Sequence, residues 1–155
     1  MRILVVSQYF WPENFRVNDL VSELGTRGHQ VTVLTGYPNY PSGEVFPEFR
    51  SNPADYSEYA AAKVVRVPLM PRGSGGLRLL LNYLSFALSA SVLGAWRLRG
   101  QTFDVIFVFE PSPITVGLPA VLLRALKRAP VAFWVLDLWP ETLEALGVVR
   151  SPAAL

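Results

Sequence analysis

The sequence predicts an α/β fold, a Rossmann-like doubly wound parallel sheet with helices on both faces. Three observations lead there. Short β-branched and aromatic runs alternate along the chain with segments of helical periodicity, the order that a parallel sheet with crossover helices requires. Two of the runs end in the same phrase: Ile3-Leu4-Val5-Val6 leads into Tyr9-Phe10-Trp11-Pro12-Glu13, and Val131-Ala132-Phe133-Trp134-Val135 leads into Asp137-Leu138-Trp139-Pro140-Glu141. A third run, Val105-Ile106-Phe107-Val108-Phe109, opens into Glu110-Pro111-Ser112-Pro113. Open α/β sheets bind ligands where their strands stop, at the carboxyl ends. One edge of one sheet is therefore the expected working surface.

The elements follow in order. Residues 2–6 make the first strand. Val17, Leu20, Val21 and Leu24 then recur at helical spacing, and Arg27-Gly28 supplies the glycine stop. Residues 30–35 are β-branched and read as the second strand. Residues 36–60, rich in Pro, Tyr, Ser, Asn and Gly, read as one long loop of the functional or mobile kind. A short strand over 63–67 precedes Gly73-Ser74-Gly75-Gly76 and a helix over 77–99. Residues 79–96 carry no charge, which raises a membrane span. Arg78, Asn82, Ser85 and Ser89 nevertheless form a polar stripe down one face, favouring a helix laid on the sheet or grazing a membrane. A strand over 104–109, a helix over 114–128 kinked or restarted by Pro119, and a strand over 130–135 complete the alternation. Pro140 suits the first turn of a closing helix, with Glu141 near its positive end.

With 155 residues and 51% hydrophobic content, the chain suits one well-buried domain over residues 1–155. Charged residues make up 17%, against about a quarter in an ordinary globular chain. Some apolar surface is thus expected to meet a missing domain, a partner or a membrane. The absence of cysteine excludes disulfides and thiolate metal sites, and a single histidine leaves no zinc site; no metal is expected. The apolar start is too short for a signal-peptide core, so a cytoplasmic location is expected. Net charge is only +2, yet Lys63, Arg66, Arg72, Arg78, Arg97 and Arg99 fall in a stretch, residues 59–103, that has no acid. Nothing resembles a recognition helix or an aromatic RNA-binding strand, so nucleic acid is not an expected partner. An anionic membrane surface or a phosphorylated ligand fits the basic stretch, as does a plain solvated face.

Several catalytic signatures are missing: Gly-x-Gly-x-x-Gly after the first strand, the P-loop pattern, and the Gly-x-Ser-x-Gly elbow. Acids at strand ends remain. Asp137, between Leu136 and Leu138, suits a general base raised by desolvation, or a helix cap before Pro140. Glu110 ends its strand and either takes substrate hydroxyls or faces water at a turn; Ser112 shares that turn. Tyr9, Glu13, Asn14 and Arg16 crowd one loop, where a ring packs on sugar C–H groups while polar groups take hydroxyls. Phe10 and Trp11 beside them read as a hydrophobic staple for the first helix. Arg72-Gly73-Ser74-Gly75-Gly76-Leu77-Arg78 reads as a phosphate-holding helix start or as a flexible linker. His29 reads as a turn residue on the opposite rim.

Ser7-Gln8-Tyr9-Phe10-Trp11-Pro12-Glu13-Asn14-Phe15-Arg16, Arg27-Gly28-His29-Gln30, Pro38-Asn39-Tyr40-Pro41, Glu110-Pro111-Ser112-Pro113 and Leu136-Asp137-Leu138-Trp139-Pro140-Glu141 together resemble the amino-terminal half of family 4 glycosyltransferases. The nearest group is the fucosamine-transferase-like enzymes of bacterial O-antigen and capsule assembly. The resemblance implies a GT-B architecture in which this domain binds the acceptor and an absent carboxyl-terminal domain holds the nucleotide-sugar. It implies no cofactor and no bound metal, a lipid-linked glycan acceptor, and a place at the inner membrane surface, with the basic stretch and its apolar helix meeting the lipid. Where many members carry a Gly-Gly pair after the first strand, this chain has Glu13-Asn14-Phe15-Arg16. Where many carry a histidine before the late aspartate, it has Leu136. Asp137 is then the leading candidate to assist the acceptor hydroxyl, and Glu110 the second. A self-contained flavodoxin-like nucleotide-binding domain and a non-catalytic membrane-docking module are the rival readings.

Overall fold

The computed structural model describes residues 1–111 and 113–136. In chain order the elements are β1 (Arg2–Val6), α1 (Arg16–Thr26), β2 (Gln30–Gly36), a five-residue α2 (Pro47–Ser51), β3 (Glu58–Tyr59), β4 (Ala62–Val67), α3 (Gly76–Ser89), a short α4 (Ala95–Arg97), β5 (Val105–Glu110), α5 (Gly117–Lys127) and β6 (Val131–Val135). Among the described residues the strands form one six-stranded sheet in the order β3-β4-β2-β1-β5-β6. Every pairing is parallel except that of β3 with β4 at the edge. The expected doubly wound α/β sheet is present, with an antiparallel edge ribbon that the sequence does not announce.

Alternation along β1 shows why the sheet is covered on both sides. Ile3 and Val5 pack with Val17 and Val21 of α1, while Leu4 and Val6 pack with Phe86 of α3 and Leu123 of α5. Leu4, Val5 and Val6 are fully buried, and each such burial stabilises the fold by roughly 1.5–3 kcal/mol. A strand with no polar face has only the centre of a two-sided sheet open to it, and β1 sits there.

Three expectations are corrected. Residues 36–60 are not one loop. They hold α2, a 3-10 turn at Pro53–Tyr56 and β3, stapled by the ring pairs Tyr37–Phe49 and Phe49–Tyr56 with the Arg66 guanidinium over both Phe49 and Tyr56. The helix expected over 77–99 is interrupted by a π-helical turn at Ala90–Gly94. There Gly94 lies so close to the sheet that an added Cβ would sit 2.9 Å from the Leu34 side chain. Pro119 neither kinks nor restarts a helix. A 3-10 turn at Ile114–Val116 leads into α5, and Pro119 occupies its first turn, where an amide N–H has no intrahelical partner to lose.

Asn82 is fully buried and Ser85 and Ser89 are half-buried, so the polar stripe of α3 faces the protein; Arg78 is exposed. Leu77, Leu80, Leu84 and Leu88 are exposed on the outward side. The helix thus buries Asn82 together with Phe86 and Ala87 against the sheet and leaves a second, leucine-rich stripe in solvent.

Candidate functional site

At the carboxyl rim, β1 and β5 end beside each other, because Val6 is in register with Val108. A recess of about 210 Å³ opens there, lined by Tyr9, Phe15, Tyr40, Arg72, Tyr83 and Pro111. It joins the end of β1, the start of α1, the 39–43 loop, the strap before α3, α3 itself and the turn after β5. The recess lies at the carboxyl rim, where the loops that follow β1 and β5 meet.

Arg72 supplies the cation. Its guanidinium lies 5.4 Å from the Tyr40 ring centroid, and its main-chain N–H donates to Asn39 Oδ1 at 2.8 Å. Burial alone lowers the guanidinium's pKa, but the Tyr9 hydroxyl and the nearby Tyr83 and Tyr40 outweigh it and hold the group above its ordinary value. Tyr9 is pushed up to about 12, first by burial and against the pull of Arg72. Its phenol therefore stays neutral and can donate. Tyr9 packs flat on Phe15 with centroids 5.4 Å apart, and Tyr40 tilts against both rings. Rings and a guanidinium on one recess suit a ligand carrying both C–H faces and anionic oxygens.

Two buried networks hold these groups. Asn82 Oδ1 accepts from Gln8 Nε2 at 2.7 Å and from the Tyr9 hydroxyl at 3.0 Å, while its Nδ2 donates to the Met70 carbonyl at 2.6 Å. One helix residue thereby fixes the end of β1 and the strap that carries Arg72. Glu13 is the second hub. Its Oε1 accepts from the N–H groups of Asn39 at 2.8 Å and Tyr40 at 2.7 Å, and its Oε2 from Phe10 N–H at 3.1 Å. Only 3% exposed, it holds main chain instead of reaching a substrate, which corrects the expectation of direct contact. Burial raises its pKa, the three N–H groups and Arg66 opposing. Gly43 closes the arrangement: its φ is +77°, and a Cβ there would meet the Arg72 carbonyl oxygen at 1.8 Å.

Of the other expected residues, Asn14 and Arg16 are exposed on either side of Phe15, at the recess edge but not among its lining. Glu110 is fully buried where β5 ends, next to Pro111 of the lining. Its carbonyl accepts from Leu136 N–H at 3.0 Å, so the chain leaving β6 departs at this same rim. Asp137 and Ser112 lie outside the described residues. Phe10 is buried with Val17 and Val21 of α1, whereas Trp11 lies against Tyr56 and Tyr59. The glycine run does open α3, and Arg78 folds back over Gly73, leaving Arg72 as the recess cation. His29 stands at the opposite rim, 3.4 Å from the amino terminus.

Phe15, Tyr40 and Tyr83 are lining residues that sequence reasoning missed. Tyr40 stood in a quoted motif and Tyr83 follows Asn82 of the polar stripe, so the signals were adjacent to the residues themselves. A larger groove of about 460 Å³ between α5 and β6 is lined mainly by Leu118, Val121, Val131 and Phe133. It lacks the convergent polar groups of a substrate site. Among the described residues no cluster of His, Cys, Asp and Glu is suited to a metal ion.

The sheet and its rim define the class: a doubly wound domain that offers ligands the carboxyl ends of parallel strands. The chain belongs to the glycosyl transferase 4-like domain family, whose model matches residues 14–154. A search of curated proteins finds no significant match. Among solved structures the chain is similar to CalG4, the calicheamicin glycosyltransferase, at 22% identity and TM-score 0.61, covering 99% of this chain and 37% of that one. It is also similar to the glycotransferase of kitacinnamycin, at 17% identity and TM-score 0.60, covering 94% and 34% respectively. The chain thus spans about a third of the length of these two. The carboxyl-terminal domain of a hydrogenase, PF1911 from Pyrococcus furiosus, shares the fold at 16% identity and TM-score 0.54 over 86% of this chain and 90% of that one. At such identities the likeness concerns fold alone, and sites have to carry function.

Proposed function

We propose that this chain is the acceptor-binding half of a glycosyltransferase that moves a sugar from a nucleotide-sugar to a lipid-linked glycan in surface polysaccharide synthesis. One observation carries it: a rim recess in which Arg72 stands among Tyr9, Phe15, Tyr40 and Tyr83. At about 210 Å³ it is smaller than the roughly 300–1,000 Å³ of a self-sufficient ligand pocket. It suits a site completed by a second domain across a cleft. Family membership supports sugar transfer, and the motif resemblance to surface-polysaccharide enzymes supports the lipid-linked acceptor.

In this reading Phe15, Tyr40 and Tyr83 pack on an acceptor sugar and Arg72 takes its phosphate oxygens, while Tyr9, buried behind Phe15, supports them. The acceptor hydroxyl then attacks the anomeric carbon of the donor. A glycosidic C–O bond forms as the bond from that carbon to the nucleotide's phosphate oxygen breaks. Asp137, two residues beyond β6 in the sequence, would receive the hydroxyl proton; Glu110, the second candidate, is fully buried and would not reach it. Orientation supplies much of the acceleration. The reading needs no cofactor and no resident metal.

Transfer by the protein carrying both domains, to a sugar on a lipid diphosphate, tests this. Arg72→Ala should raise the acceptor KM about 10- to 100-fold, the loss of one charge-assisted contact. The KM for nucleotide-sugar should stay unchanged. An unchanged acceptor KM in the variant would remove Arg72 from the site and the reading with it.

A further inference from the structure

The outward face of α3 has no use in the recess. Leu80, Leu84, Leu88, Val92 and Trp96 recur four residues apart and are each between 44% and 68% exposed. Beside this stripe a shallow trough of about 600 Å³ runs between Leu88, Val92 and Leu93 and the Pro68-Leu69-Met70-Pro71 strap. The helical run Gly76–Arg97 has the length and apolarity to cross a membrane. It is nevertheless tied to the sheet through buried Asn82, Phe86 and Ala90, so it can lie on a bilayer but not leave the fold to span one.

Charge identifies the occupant. The α3 and α5 layer on this side of the sheet carries Arg78, Arg97, Arg99, Arg124, Lys127 and Arg128. No Asp or Glu occurs in residues 59–103 or 111–136. Among the described residues, Asp19 and Glu23 lie on α1 and Asp104 and Glu110 at the two ends of β5. Arg78 stands at the rim end of α3 and Arg99 at the far end, where its guanidinium lies 4.3 Å from the Trp96 ring, while the Arg97 guanidinium turns in to the Arg66 carbonyl. An apolar stripe, an indole and cations without a single carboxylate match an anionic bilayer. A second copy of the chain would meet the same cations with its own. A second domain across the cleft would face the rim, where the strands end, and not the outward face of α3.

We propose that the outward face of α3 rests on an anionic bilayer surface, with Leu80, Leu84 and Leu88 entering the acyl boundary and Arg78 and Arg99 meeting headgroup phosphates. The recess then opens at the end of the helix that touches the membrane, beside the strap shared with the trough. This goes beyond sugar transfer and is read without it.

The test is flotation of the full-length protein with vesicles of phosphatidylcholine containing phosphatidylglycerol, against phosphatidylcholine alone. The protein should float with the anionic vesicles, and raised salt should weaken that binding. The double variant L84E/L88E should lose it at least about 10-fold, the scale of two apolar contacts withdrawn. Its thermal midpoint and its sugar transfer to a water-soluble acceptor should match the parent. Failure of the parent to float would overturn the proposal, as would equal floating of the variant. Sedimentation showing a dimer that the variant dissolves would overturn it too, assigning the face to a second copy. Sugar transfer to the soluble acceptor in any of these cases leaves the reading of the recess standing.

Discussion

Glu13 holds three main-chain N–H groups drawn from two separate loops, and through Asn39 and Tyr40 it sets where Arg72 stands. Its effect on stability has a defined sign. Burial puts its folded pKa above the ordinary 4.5. The folded state therefore keeps this proton more readily than the unfolded one. The associated stability is fully present below about pH 4.5 and is lost as pH rises through the raised value. Glu13→Gln should abolish that slope. Urea unfolding of parent and variant between about pH 4 and pH 8 measures it, and an equally steep slope in the variant would count against Glu13 as its source. Sequence showed this carboxylate beside aromatic rings and a guanidinium, which reads as a substrate site. What it could not show is that the 39–40 loop returns with two free N–H groups.

At the scale of the element, α3 has two faces with opposite roles. Asn82→Leu should cost roughly 3 kcal/mol, because Gln8 Nε2, the Tyr9 hydroxyl and the Met70 carbonyl would be left in the interior without it. The denaturant midpoint checks this, and a shift within about 0.5 kcal/mol, as expected of an ordinary surface position, would refute the hub. The polar stripe was legible because its spacing is helical whatever lies beneath it. The strands were legible because a continuous apolar run such as residues 3–6 has few places to go. By contrast α2 and β3 depend on Phe49, Tyr56 and Arg66 meeting across the fold, a non-local arrangement that local pattern does not encode. Tyr83 was obscured for a related reason: one ring inside an apolar helix looks like core.

For the molecule as a whole, the proposed function makes the rim recess one half of a binding surface. Calorimetric titration of these 155 residues with UDP or GDP should show no saturable heat. Saturable binding would favour a self-contained nucleotide domain and remove the need for a facing half. The fold could not decide this, since the same sheet serves calicheamicin glycosyltransferase and a hydrogenase domain. The rim was legible from strand-end loops.

Segregating cations onto one helix layer also has a kinetic consequence. A body with cations gathered on one helix layer, though its net charge is only +2, experiences a torque in the field of an anionic surface. At low ionic strength it would turn during diffusion and arrive with α3 foremost, so that fewer collisions are wasted on the wrong side. Added electrolyte would shorten the reach of that torque to about a nanometre, and encounters would become random in orientation before the affinity of the docked state had changed much.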